Sequence, residues 1–509
     1  MADNPSGLTW DLIAEARARI AGKVNLTPVL TSTSLDAASN ARLYFKCENF
    51  QKCGAFKARG ATNAVFALST ADAQRGVATH SSGNHAAALA RAARLRGIPA
   101  YIVMPDNTAQ VKRAAVARYG GAGAQITWCE PTLAARERAA REILAATGAV
   151  LVHPYDDTLV MAGQATAAVE LLEAVPDLDV ILCPVGGGGL LGGTAVAVKT
   201  LKSRIRVIGV EPAGADDAAR SFRAGRILAA VNPNTIADGL RGALGERPFA
   251  AIRACVDDIV TVPEAAIVAA MRELWEVMKI IVEPSAAVPY AAIAAAVARY
   301  GGPGVQISWC EPTLAARERA AREILAATGA VLVHPYDDTL VMAGQATASV
   351  ELLEAVPELD VILCPVGGGG LLGGTAVAVK ALKPAIRVIG VEPAGADDAA
   401  RSFRAGRIVP GVNPNTIADG LRGALGERPF AAIRACVDDI VTVPEEAIVA
   451  AMRELWEVMK IIVEPSAAVP YAAIAAAVVK FPGQRVGVVL SGGNLDLDRL
   501  PWMRSATPA

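Results

Sequence analysis

The sequence predicts an α/β fold: two domains built on parallel sheets flanked by helices, plus a duplicated partial copy. Three observations carry this. Short apolar runs alternate with helical patterns at the spacing of βαβ units. The run Asp179-Val-Ile-Leu-Cys-Pro-Val185 passes into four consecutive glycines and then into a helical pattern. A long block of sequence also returns almost unchanged 181 positions later, with Trp128 matching Trp309, His153 matching His334, Gly186 matching Gly367, Glu211 matching Glu392 and Glu283 matching Glu464.

Taken in order, residues 8–22 carry apolar side chains at helical spacing and predict an outer helix. Leu26–Leu30 is a short extended stretch, and the alternating run Leu43–Cys47 reads as a strand. The segment Asn49–Gly60 follows and leads into a helical pattern over Ala61–Leu68, so Lys57 stands at a strand-to-helix turn. Gly76–His80 reads as a strand, and Ser81-Ser-Gly-Asn-His85 as the turn into an alanine-rich helix that ends near Gly97. Then come a strand at Pro99–Pro105, a helix at Ala109–Tyr119, a strand at Gln125–Cys129 and a helix at Leu133–Ala146 with exposed Arg/Glu pairs. Beyond the glycines, Leu190–Leu201 reads as a helix and Arg206–Val210 as a strand. Near the end, Arg485-Val-Gly-Val-Val-Leu-Ser-Gly-Gly-Asn494 is a buried strand closing in a polar turn.

The repeat period is too long for a solenoid unit and begins midway through the first run of strands and helices. It is therefore a partial tandem duplication, joined where Ala114–Gly121 recurs as Ala295–Gly302. Without one repeat, roughly 330 residues remain, a normal size for two packed α/β domains. The expected division is 1–49 for the N-terminal part of a large domain, 50–147 for a small domain and 148–298 for the first repeat of the large domain. Residues 299–479 are the copy of 118–298, and 480–509 supply the final strand and C-terminus of the large domain.

Composition narrows the function. The net charge of -1 gives no footing for nucleic acid or an anionic membrane surface. The most apolar stretch, Ser285–Val297, is broken by Pro289 and is too short to span a bilayer. The N-terminus lacks the basic and apolar regions of a signal peptide. There is no Cys-x-x-Cys pair, and the histidines show no ligand spacing, so neither a disulfide framework nor structural zinc is expected. A cytoplasmic protein fits, with a small molecule as substrate and no nucleic-acid or membrane partner.

Several residues carry chemistry. A helix N-terminus and the neighbouring Arg59 both disfavour an ammonium at Lys57, and a lysine of lowered pKa is an amine nucleophile. Gly186-Gly-Gly-Gly189, between strand and helix, exposes successive N–H groups to a phosphate without Cβ clashes. No Lys-Ser/Thr follows, as a nucleotide P-loop requires, so a single small phosphate suits it. Ser81–His85 either caps a helix or holds a carboxylate, and both are compatible. Glu211-Pro-Ala-Gly-Ala-Asp-Asp217, after the strand Arg206–Val210, reads from its residues as a solvated acidic loop.

The run Ala55-Phe-Lys-Ala-Arg-Gly-Ala61 with Glu48 upstream, Ser81-Ser-Gly-Asn-His85, the tetraglycine loop and the terminal Ser491-Gly-Gly-Asn494 occur together and in order. This set resembles the fold-type-II pyridoxal-phosphate enzymes of the threonine/serine dehydratase and serine racemase group, whose architecture is tryptophan synthase β-like. The resemblance implies that Lys57 holds pyridoxal 5'-phosphate as a Schiff base, with Phe56 packed near the ring. Asn84 faces the phenolic oxygen, Gly186, Gly187, Gly188 and Gly189 cradle the phosphate, and Ser491 meets the ring nitrogen. Ser82 joins Lys57 in catalysis, and Ser82, His85 and Arg136 bind substrate. Glu211, Ala215 and Asp217 correspond to a Mg²⁺ or Ca²⁺ site. A homodimer is expected. One departure is Ala55, where the group more often has serine.

The implied reaction is dehydration of L-threonine, L-serine or a related β-hydroxy amino acid to a 2-oxo acid and ammonia. A racemase, which needs a second acid–base group, and a non-catalytic relative are the rival readings. Each chain carries one Lys57 segment and one Ser491 segment but two tetraglycine loops, so at most one site per chain is expected. The first repeat is contiguous with Lys57 and closes the shorter loop, so Gly186–Gly189 rather than Gly367–Gly370 is the expected cradle.

Overall fold

The computed structural model describes residues 6–39, 41–81, 83–108, 110–294 and 314–502. The chain divides into two compact units, residues 1–299 and 300–509.

The first unit opens with a helix at Trp10–Ile20. The Thr9 side chain caps it, accepting from the Leu12 N–H, and Ile13, Ala16 and Ile20 are buried. β1 (Val29–Leu30) and β2 (Phe45–Lys46) form a short antiparallel hairpin. A parallel sheet of order β5-β4-β3-β6 follows, made of β3 (Val77–His80), β4 (Ala100–Pro105), β5 (Ala124–Cys129) and β6 (Val150–Leu151). β6 pairs with β3, so this smaller sheet draws its last strand from beyond residue 147. The helix Asn84–Arg96 crosses between β3 and β4. Its alanines are buried, and it stops at Gly97 in the left-handed region.

The helix Lys57–Ala67 lies between Asn84–Arg96 and the helix Thr158–Ala174. It approaches the latter so closely that a Cβ on Gly60 would come within 2.6 Å of the Val160 carbonyl oxygen. This contact fixes the lysine-bearing helix to the larger domain. A second parallel sheet of order β7-β8-β9 carries β7 (Val180–Pro184), β8 (Arg206–Pro212) and β9 (Asp258–Val262). The helix Pro284–Ala294 packs across all three strands.

The second unit repeats this sheet as β10 (Val361–Pro365), β11 (Arg387–Pro393) and β12 (Asp439–Val443), and adds β13 (Val486–Val488). The order is β12-β11-β10-β13, with Val361 opposite Val486 and Leu363 opposite Val488 in parallel register. Residues 480–509 are expected to supply the final strand of the large domain, and that strand lies on the sheet of the second repeat. The cause is local. β10 has the same sequence as β7 and offers the same ladder, and the helix Pro465–Ala475 packs on β10, β11 and β12. A short connection from that helix delivers the strand to the edge within its own unit.

Among the described residues the second unit has no counterpart of the smaller sheet. Val152 continues from β6 and is 2 % exposed, whereas its counterpart Val333 is 70 % exposed. The copied sequence alone does not bury the segment, because its partner β3 occurs once in the chain.

Candidate active site

Lys57 is the first residue of its helix, after an extended Ala55. Its Nζ donates to the Pro154 carbonyl at 2.7 Å and lies 4.9 Å from the centre of the Phe56 ring. Burial pulls the amine down from 10.5 to about 8, and the Glu283 carboxylate opposes that shift. Arg59 is not the cause, contrary to the expectation from sequence. Its side chain is fully buried and turned onto two carboxylates. Nε and Nη2 donate to Glu48 at 2.8 Å each, and Nη1 and Nη2 donate to Glu170 at 2.5 and 2.8 Å. Burial alone would lower the guanidinium's pKa, but the two carboxylates raise it. The arginine anchors the helix and leaves the lysine's charge to burial.

Asn84 begins the next helix and donates from Nδ2 to both Glu283 oxygens, at 2.9 and 3.1 Å. His85 is buried and shares a 3.1 Å hydrogen bond between Nε2 and the Val152 carbonyl. Burial, with Lys57 nearby, takes it down to about 3, so the ring is neutral at physiological pH. His153 falls to about 4, first through burial and then through His80, whose ring meets it edge to face at 5.6 Å. His153 in turn stacks edge to face on Tyr155 at 4.7 Å. Ser82 lies outside the described residues.

The tetraglycine loop joins β7 to the helix Gly189–Leu201. Gly188 has φ 84°, which a side chain would strain, and a Cβ on Gly187 would overlap the Tyr155 ring. The loop thus presents bare backbone at the head of a long helix, the geometry that suits a phosphate. Arg136 sits in the helix Leu133–Thr147 and has a buried Nε with no hydrogen-bond partner. Its charge acts on both His80 and Tyr155, which places it on this side of the unit.

Ser491 is placed otherwise. It follows β13 in the second unit, where the neighbouring turn meets Glu464, which accepts from the Asn494 N–H at 3.0 Å. The residues chosen from sequence therefore divide. Lys57, Phe56, Asn84, His85, Arg136 and Gly186–Gly189 belong to the first unit, and Ser491 belongs to the second.

At the acidic loop, Glu211 is fully buried and accepts from Ala218 N at 3.1 Å and Ala219 N at 2.9 Å. Burial pushes it up to about 8 despite those amides, and Asp217 adds to the rise. Asp217 is itself raised by burial while accepting from Leu244 N at 3.2 Å. No cluster of three or more histidine, cysteine or carboxylate side chains with metal-ligand geometry occurs among the described residues.

The sequence profile described as pyridoxal-phosphate dependent enzyme matches residues 20–305 and, a second time, residues 295–492. The chain belongs to the pyridoxal-phosphate dependent enzyme family. The double match is the partial duplication seen from the family's side. Serine racemase from Oryza sativa subsp. indica is 51 % identical over 280 residues, which is 55 % of this chain and 82 % of that protein. The β-hydroxyaspartate dehydratase of Paracoccus denitrificans is 49 % identical over 285 residues, covering 56 % of this chain and 90 % of its own length. Among solved structures, maize serine racemase superposes with TM-score 0.55 at 48 % identity, over 56 % of this chain and 86 % of that one. The T.th. threonine deaminase does so with TM-score 0.54 at 44 % identity, over 56 % and 92 %. Each relative accounts for one enzyme's length and leaves the surplus repeat over.

The first unit fits the cofactor in two respects: a desolvated amine and a Cβ-free loop at a helix head. Sequence reasoning missed Glu283, which links Asn84 to the electrostatics of Lys57. It immediately precedes Pro284 at the start of a helix, where a glutamate reads as an ordinary capping residue. Tyr155 and Gln164 were missed as well. Both abut the tetraglycine loop, but no local pattern marks them.

Proposed function

We propose that the chain is a pyridoxal-phosphate-dependent ammonia-lyase that converts a β-hydroxy amino acid, such as L-threonine, L-serine or 3-hydroxyaspartate, to a 2-oxo acid and ammonia. The observation that carries the reading is the Lys57 amine. It is held by burial at about 8, in the unit that also contains the Gly186–Gly189 loop. When bound, the cofactor supplies an electron sink for the carbanion at Cα. Lys57 Nζ then serves as the base that takes the Cα proton, and an amine near 8 is partly neutral at physiological pH. Gly186–Gly189 hold the phosphate and Asn84 the phenolic oxygen. Arg136, with its unpaired buried Nε, takes the substrate carboxylate with Ser82 and His85. Ser491, where its terminal segment reaches the unit that holds Lys57, would be the ring-nitrogen partner, and its neutral hydroxyl there would favour prompt loss of the β-hydroxyl over transamination.

Glu211, the Ala215 carbonyl and Asp217 are the proposed ligands for Mg²⁺ or Ca²⁺. Two neighbouring buried carboxylates, both pushed upward, are what a hard cation would relieve. The likeness to serine racemases supports a second reading, racemisation at the same site, with Ser82 as the opposing acid–base group. Incubation with L-threonine, L-serine, 3-hydroxyaspartate and phenylserine tests both. Release of 2-oxo acid supports the lyase. Appearance of D-serine without 2-oxo acid would transfer the assignment to the racemase, and neither product would overturn both.

A further inference from the structure

We propose that the free edge of β7 is a docking site for the terminal strand of a second copy of this chain, residues 484–494, in the register that this segment adopts on β10. The residues of β7 and β10 are identical from Asp179/Asp360 through the glycines. Their burial is not. All five residues of β10 are buried, whereas β7 alternates between buried and half-buried. The difference lies in β13, which covers β10 and leaves β7 with β8 as its only strand neighbour among the described residues.

The bonds that seat β13 have their acceptors and donors duplicated on β7. Arg485 N donates to Asp360 Oδ2 at 2.7 Å, Asp360 N to the Arg485 carbonyl at 2.9 Å, and Val489 N to the Leu363 carbonyl at 3.0 Å. Asp179 and Leu182 are the equivalents. Gly487 fits where a Cβ would press on Leu352, Leu359 and Ile362, and Leu171, Leu178 and Ile181 repeat that surface.

In the first unit, β7 faces the same two cores as the hairpin of β1 and β2. Ile181 and Cys183 face one core cluster, and Leu182 faces the other. Val29 of β1 packs on the first cluster and Leu30 on the second, so the hairpin flanks the same two cores without forming a ladder to β7. On β10 the terminal strand is an outermost strand with one edge bare. Beside β7 it would have the hairpin on its far side, which blunts an exposed edge.

One strand cannot serve two edges, and each chain's own is seated on β10. Reciprocal exchange with a second copy would move each chain's strand from its own β10 to the partner's β7, closing a two-fold dimer in which the hairpin covers the strand's far edge. The hinge is the connection that follows Ala475. The exchange would also bring Ser491 into the unit that holds Lys57. That consequence rests on the proposed function, whereas the docking does not.

Two measurements on full-length protein test this. Amide exchange of Val180–Pro184 should slow at least tenfold as protein concentration rises through the monomer–dimer transition, with mass measured in parallel. An excess of synthetic peptide 482–496 should give the same protection while dissociating the dimer. In the second measurement, Lys57→Ala and Val489→Pro chains, each inactive alone, should regain activity on mixing. Exchange at β7 that is independent of concentration and of peptide would overturn the proposal, whether the edge is open or filled from within the chain. If the enzymatic reading alone is wrong, the mixture stays inactive while the exchange and mass results still hold.

Discussion

Lys57 donates to the Pro154 carbonyl at 2.7 Å, and in the second repeat the matching Pro335 carbonyl takes its hydrogen bond from Gln345 at 3.2 Å. The counterpart of Gln345 in the first unit is Gln164, which is fully buried with neither amide atom hydrogen-bonded. The lysine has displaced the glutamine from a shared acceptor. On the proposed function, a Lys57 engaged by the cofactor would leave that carbonyl to Gln164. Gln164→Leu removes two unsatisfied polar atoms at similar volume, so the cofactor-free chain should gain about 1–3 kcal/mol. Urea unfolding of the cofactor-free protein measures it, and a loss of stability would show that the amide has a partner.

Lys57 also sets a pH signature. Its pKa is about 8 when folded and near 10.5 when unfolded. Below pH 8 both states are protonated, and the folded state bears the cost of a buried charge. Between pH 8 and 10.5 the unfolded chain holds the extra proton, so this contribution to stability rises with pH. Lys57→Met should flatten that rise, stabilise the protein at pH 7, and abolish the visible absorbance of lysine-bound cofactor. Parallel slopes for wild type and variant across this window would mean that the amine is not desolvated.

The two tetraglycine loops provide an internal control. A Cβ at Gly187 meets the Tyr155 ring, and one at Gly368 meets Tyr336 in the same way. Only the first loop shares a unit with Lys57. Overpacking of about 1–3 kcal/mol corresponds to roughly 5- to 150-fold in affinity. Gly187→Val should weaken cofactor binding by that much, and Gly368→Val should leave it unchanged. Fluorescence titration with pyridoxal phosphate separates them, and a reversed pattern would assign the cradle to the second repeat.

Glu211 and Asp217 give a cation test. A ligand that binds only the folded state at a hundred times its Kd adds about 2.7 kcal/mol. Millimolar Mg²⁺ or Ca²⁺ should raise the melting temperature, a chelator should reverse the rise, and Asp217→Ala should weaken the response. The second repeat carries the same constellation at Glu392 and Asp398, with Glu392 accepting from Ala399 N and Ala400 N at 3.0 and 2.9 Å. The double variant Asp217→Ala/Asp398→Ala is therefore needed to abolish the shift.

Local pattern made most of the scaffold legible. The strand at Val77–His80, the helix from Asn84 to the left-handed Gly97, and the glycine loop before Gly189–Leu201 all followed from alternation, capping and breakers. The repeat was legible as identity. What could not be read was competition between identical edges: β7 and β10 have one sequence, the helices Pro284–Ala294 and Pro465–Ala475 pack on their sheets alike, and β13 lies on the edge whose helix it directly follows in the chain. Nor could the sequence tell that Arg59 faces Glu48 and Glu170 rather than Lys57. Glu170 lies 111 residues away, so the pairing is purely tertiary.

Deleting residues 299–479 removes that competition. Position 298 matches 479, so the deletion joins the helix Pro284–Ala294 to Lys480 with the spacing that now links Pro465–Ala475 to β13. The terminal strand then has one edge left, β7, and a connection of the right length to reach it. Ser491 would come to the unit that contains Lys57 within a single chain, with no need for exchange. The shortened protein should bind one pyridoxal phosphate per chain, with activity at least equal to the full-length chain. Its Val180–Pro184 amides should be protected at every concentration. Cofactor titration, 2-oxo acid release and amide exchange measure these three. A folded deletion variant with unprotected β7 amides would show that β13 does not recognise the first repeat, despite the identical edge.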